Sequence, residues 1–123
     1  MEWTITLNEE SHYVEVVTSG VADRDGSLEM VKEISMILRK AKIKKLLIDH
    51  SHIMAVSGES VEQYQRPKEF KEIGVILGIK VALVVKADHK AFFNFLEAVC
   101  VNRGYIFSIC DDKKSALAWL LSS

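Results

Sequence analysis

The sequence predicts an α/β fold: a mixed, mostly parallel five-stranded sheet with an antiparallel N-terminal hairpin and about four helices. Three observations predict it. Apolar residues alternate with period two near the start of the chain; the spacing then changes to three and four residues. Beyond that, short and continuously apolar runs are each followed by a helical pattern.

Trp3, Ile5 and Leu7 alternate with Thr4 and Thr6, as in a strand with one buried face. A polar stretch, "NEESH", leads to "YVEVVTSG", and two strands joined so closely most simply form an antiparallel pair. From Ser27 the residues Leu28, Val31, Ile34, Leu38 and Ala41 form one apolar stripe on a helix, with Ser27 as the expected N-cap. "KLLID" reads as an inner strand covered by helices. Ser60 to Gln63 fits the S-x-x-Q capping box, so a second helix is expected near Ser60, kinked or restarted at Pro67. "KVALVV" is the next inner strand. Asp88 is the expected cap of a helix whose Phe92, Phe95, Leu96 and Val99 share a face, with Phe93 and Cys100 at its margin. Gly104 ends that helix, "YIFSI" is the last strand, and Asp111 or Asp112 caps a final helix carrying Ala116, Trp119 and Leu120. The order β-β-α-β-α-β-α-β-α fits a single domain over residues 1–123, with right-handed crossovers.

Composition sets the function classes. A hydrophobic fraction of 49% supplies a core, while 27% charged residues keep the surface polar. A net charge of −1 gives no global attraction to nucleic acid or an anionic membrane. The one basic cluster, Arg39, Lys40, Lys42, Lys44 and Lys45, straddles a helix end, where cations complement the helix dipole. Cys100 and Cys110 lack CxxC spacing, and "MEWTITLNEE" has no secretory pattern, so the expected compartment is a reducing cytoplasm. "GVILGIKVALVV" is interrupted by Lys80 and is well short of the roughly 20 residues that span a bilayer.

In open sheets of this kind, ligands and catalytic groups gather beyond the carboxyl ends of the parallel strands. That edge collects Asp49, His50, His52, Ser57, Asp88, His89, Cys110, Asp111 and Asp112. His50 and His52 are two apart, so in an extended segment their rings point the same way. A metal would need His89 or Asp49 as well, with no motif to supply it, and no metal or cofactor is expected. Ser57-Gly58 lacks the G-x-S-x-G elbow of a serine nucleophile. Cys110 lies where a helix N-terminus could lower its pKa, but a buried, inert thiol is the expectation. No phosphate-cradling glycine loop occurs, which removes P-loop and Rossmann nucleotide enzymes. No catalytic residues are assigned.

The ending "NRGYIFSICDDKKSALAWLLSS" resembles the C-terminal signature of the small bacterial SpoIIAA-like proteins, of the STAS/CRAL-TRIO-like fold group. "VEVVTSG" and "LLID" also fit, and the resemblance spans nearly the whole chain. It implies a mixed sheet with helices packed on it. In anti-sigma-factor antagonists of that group, the loop after the central strand carries Asp-Ser-Ser-Gly, and its second serine is phosphorylated. Here "AVSG" takes that place: Ser57 and Gly58 match the phosphoacceptor and its glycine, while Ala55 and Val56 replace the aspartate and the first serine. The resemblance implies a non-enzymatic regulatory or protein-interaction module, with Asp49, His50, His52, Ser57 and Gly58 around the switching loop. Its alternative is a carrier of an apolar, lipid-like ligand, touching Tyr64, Phe70, Phe92, Phe93 and Cys100. Self-association is expected through the exposed margin of the first hairpin or the Phe93/Cys100 flank.

Overall fold

The structure is a computed structural model and describes residues 1–57, 68 and 78–122. Five strands form one sheet in the order of the chain: β1 (Glu2–Asn8), β2 (Tyr13–Ala22), β3 (Lys45–Val56), β4 (Lys80–Val84) and β5 (Ile106–Cys110). β1 pairs antiparallel with β2, and β2 through β5 are mutually parallel. Three α-helices are described: α1 (Arg24–Ala41), α2 (Lys90–Asn102) and α3 (Lys113–Leu121). The helix expected at Ser60, with Tyr64, Pro67 and Phe70, lies outside the described residues, as does Gly58.

Side-chain alternation distributes the core over both faces. Val14, Val16, Leu46, Ile48 and Leu83 point to the face covered by α1 and α2, where they meet Met30, Ile34, Leu38, Phe93, Leu96 and Cys100. Tyr13, Leu47, Ala82 and Val84 point the other way, against Ala116 and Leu120 of α3. The central strands are buried on both sides, which is why "KLLID" and "KVALVV" read as unbroken apolar runs.

Several expected boundaries move. α1 begins a turn before Ser27: Asp23 is the N-cap, and its carboxylate accepts from the Gly26 amide at 2.6 Å. A Cβ at Gly26 would stand 2.8 Å from that same oxygen, so the glycine leaves room for the cap. Asp88 caps nothing. A 3₁₀ turn, Ala87–His89, feeds directly into α2, and its carbonyls take up the amides an N-cap would otherwise serve. The apolar arc of α2 is rotated from the expected one: Phe93 and Cys100 sit at its buried centre and Phe95 is exposed. Gly104 follows α2 with φ of +93°, where its amide and that of Tyr105 close the helix onto Val101 and Cys100 carbonyls. Asp112, not Asp111, caps α3, accepting from the Ser115 amide at 2.7 Å.

Candidate functional site

The main departure from the sequence reading is the length of β3. β4 ends at Val84, opposite Asp49, but β3 runs on to Val56 beside β2. The residues read as a loop after Asp49 are therefore strand. Over this extension β3 twice advances one residue more than β2. Val17 pairs with Asp49 and Ser19 with His52; Gly20 pairs with Ile53 and Val21 with Ala55. Each extra residue is a bulge that reverses the alternation of the strand.

The first bulge separates the two histidines, correcting the expectation that their rings share a direction. His50 continues the face of Ile48, is buried, and stacks on Phe93 with ring centroids 5.1 Å apart. Its Nδ1 is hydrogen-bonded to the hydroxyl of Thr18, a fully buried residue that also reaches the Asp49 carbonyl at 3.1 Å. His52 is exposed instead, in an open groove of about 550 Å³ with Glu2, Thr4, Val17 and Ser19. No group of three His, Cys, Asp or Glu side chains is disposed to hold a metal among the described residues.

Burial dominates the chemistry of His50. It lowers the pKa to about 4; the carboxylate of Asp49 works against this shift and His89 adds to it. The imidazole is thus neutral at ordinary pH. His89 keeps a buried Nδ1 without a partner among the described residues.

Ser57 follows β3 directly. Its amide donates to the Ala22 carbonyl at 2.7 Å, which fixes the end of β3 against the residue preceding the α1 N-cap. The Ser57 side chain is exposed. Ser57, Asp23, Ser27, His50 and Phe92 share the lining of a cavity of about 50 Å³. A second, almost wholly apolar cavity of about 60 Å³ lies deeper, against Ile34, Leu38, Cys100 and Tyr105. Small-molecule pockets commonly measure about 300–1,000 Å³. Among the described residues, the cavities at Phe92, Phe93 and Cys100 are therefore water-sized; Tyr64 and Phe70, the other residues expected of an apolar site, lie outside the described residues.

The remaining edge residues have local tasks. Asp111 pairs with Lys90 at 2.8 Å, an exposed bridge that raises the lysine pKa. Lys113 pairs with Glu15, whose carboxylate is the main cause that raises the lysine pKa, and Asp49 adds to it. The Asp49 carboxylate accepts from the Ser51 amide at 2.9 Å. Cys110 has its thiol pKa raised, chiefly by burial and only partly offset by Ser108, so it is a poor nucleophile. Sequence reasoning missed Thr18, whose role depends on a cross-strand register that no local pattern reveals.

No family model matches the chain, and no curated protein matches it in sequence. Solved structures do match in shape. The anti-sigma factor antagonist SpoIIAA in its unphosphorylated form aligns with a TM-score of 0.57 over 99% of this chain and 100% of its own, at 11% identity. The fold is SpoIIAA-like. An uncharacterised DUF3478-family protein with a SpoIIAA-like fold, from Shewanella loihica PV-4, aligns at 0.58 and 18% identity, over 97% of this chain and 92% of its own. An anti-sigma factor antagonist from Mycobacterium paratuberculosis aligns at 0.62 and 13% identity, over 98% and 96%. The SpoIIAA-like architecture thus extends over essentially the whole chain, and among its described residues no helix is long and apolar enough to cross a membrane.

Proposed function

We propose that the protein is a non-enzymatic regulatory module that binds another protein through the carboxyl edge of its sheet and is switched at Ser57. The observation that carries this reading is the position of Ser57: an exposed hydroxyl on a backbone pinned to Ala22, beside the first turn of α1. Two of the structural neighbours are anti-sigma factor antagonists, which supports a role in protein interaction.

Phosphorylation of Ser57 adds about −1.5 to −2 charge. The amides of the α1 start would favour that charge. Asp23 opposes it, because its carboxylate already accepts from Gly26 and lines the same cavity. A phosphate therefore competes with the cap, and the modified edge presents a different surface to a partner.

The test is to express the tagged chain in its native cells, recover it intact, and identify bound proteins and phosphopeptides by mass spectrometry. The expected result is a specific partner whose retention changes with Ser57→Asp but not with Ser57→Ala. A chain recovered alone and unphosphorylated overturns the reading.

A further inference from the structure

The two edges of the sheet are finished differently. On β5 the outward side is partly closed, because the Glu97 carboxylate accepts from the Ile109 amide at 2.7 Å. β1 has no such cover among the described residues. It pairs with β2 from Glu2 to Asn8 in unbroken register, without a bulge, a proline or a lysine, the devices that usually blunt an edge strand.

We propose that β1 is a self-association surface, on which two copies of the chain pair antiparallel about a twofold axis at Ile5. The inference is independent of any switch at Ser57.

The sequence of β1 is self-complementary in that register. Ile5 meets Ile5 of the second copy, Thr4 meets Thr6, Trp3 meets Leu7 and Glu2 meets Asn8, so no like charges face each other. Trp3, Ile5 and Leu7 lie on the α1 face and form one apolar row across the axis. Leu7 also lines an open groove of about 460 Å³ with Ile37, Ala41 and Ile43. The proposed pairing sets the second copy's Trp3 beside that groove.

Charge on α1 agrees with the same axis. Glu33 accepts from the Trp3 indole at 2.8 Å, at one end of β1. Lys40 lines the groove with Leu7, at the other end. Glu33, Met36, Ile37 and Lys40 follow three- and four-residue steps and so share one side of the helix. Because the twofold carries Trp3 onto Leu7, it carries Glu33 of each copy towards Lys40 of the other. Met36, 64% exposed, falls between them near the axis. α1 packs over β1 and β2, and with strands about 4.8 Å apart the two α1 helices would lie about 10 Å from each other, an ordinary packing distance.

Sedimentation equilibrium of the full chain tests this. The wild type should give twice the 13.9 kDa chain mass. Lys40→Glu sets carboxylates against each other at both ends of the interface and should weaken dimerisation at least about tenfold. The double variant Glu33→Lys/Lys40→Glu should restore it to within a few-fold. Thr4→Lys/Thr6→Lys, at exposed positions, should give a folded monomer by circular dichroism. A wild type that is monomeric at its highest soluble concentration overturns the proposal. So does a dimer that these variants leave unchanged, or one that the charge swap fails to restore.

Discussion

At the scale of single residues, His50 is the side chain with the sharpest consequence. Its folded pKa of about 4 lies below the ordinary value of 6.5, so between those values the unfolded chain binds the extra proton and the folded chain does not. Stability is therefore complete above about pH 6.5 and falls as pH drops towards 4, by about 3 kcal/mol in all at 1.36 kcal/mol per unit. Urea titrations across that window should show the slope in the wild type and lose most of it in His50→Asn; an equal slope in both would assign the acid sensitivity to other groups. Thr18→Val removes the partner of a buried nitrogen and should cost about 1–3 kcal/mol, read from the same titrations at pH 7. The sequence marked His50 as a candidate but could not separate it from His52. That distinction comes from a bulge between Asp49 and His52, which depends on how β3 meets β2 and not on any local pattern.

At the scale of elements, helix ends set local stability. Asp23→Ala strips the α1 cap and should cost about 1 kcal/mol. At the other end of α1, Lys42 holds a left-handed conformation, φ of +58°, that glycine adopts without strain. Lys42→Gly should then raise stability by about 0.5–1 kcal/mol, measured as a shift in the denaturation midpoint. If Lys42→Gly is destabilising, the lysine side chain has a role beyond its backbone. These ends also show where sequence reading stops. Period-two alternation, unbroken apolar runs and period-3.6 stripes mark every described strand and α-helix, because burial imposes them. The starts of α1 and α2 were misplaced, because Ser27 and Asp88 are good caps only if the chain enters the helix at those points. Asp23 and the 3₁₀ turn at Ala87–His89 enter earlier. β3 outruns its apolar run because His50, Ser51 and His52 interrupt that run, and polar residues following an acid also describe a loop; Ile53 to Val56 continue the strand.

At the scale of the whole molecule, the sheet has an apolar layer on each face among the described residues, and each layer contains one of the two tryptophans. Trp3 packs beside α1 on one face, and Trp119 packs on the other, under the Lys80 ammonium 4.6 Å from its ring. The same ammonium donates to the Trp119 carbonyl at 2.6 Å and the Ser122 carbonyl at 3.0 Å, binding the end of α3 to β4. Because Leu46, Leu47 and Ile48 are consecutive and buried in alternate layers, neither layer can open without disturbing the strand that serves both. Unfolding should therefore be a single transition. Trp3→Phe and Trp119→Phe leave one fluorophore each, on opposite faces. Leu120 is fully buried beneath α3, and Leu120→Ala in either background should cost about 2–5 kcal/mol. The decisive outcome is that the midpoint moves by the same amount whether Trp3 or Trp119 reports. A shift seen by Trp119 alone would mean that α3 detaches by itself, and that the sheet does not couple its two layers.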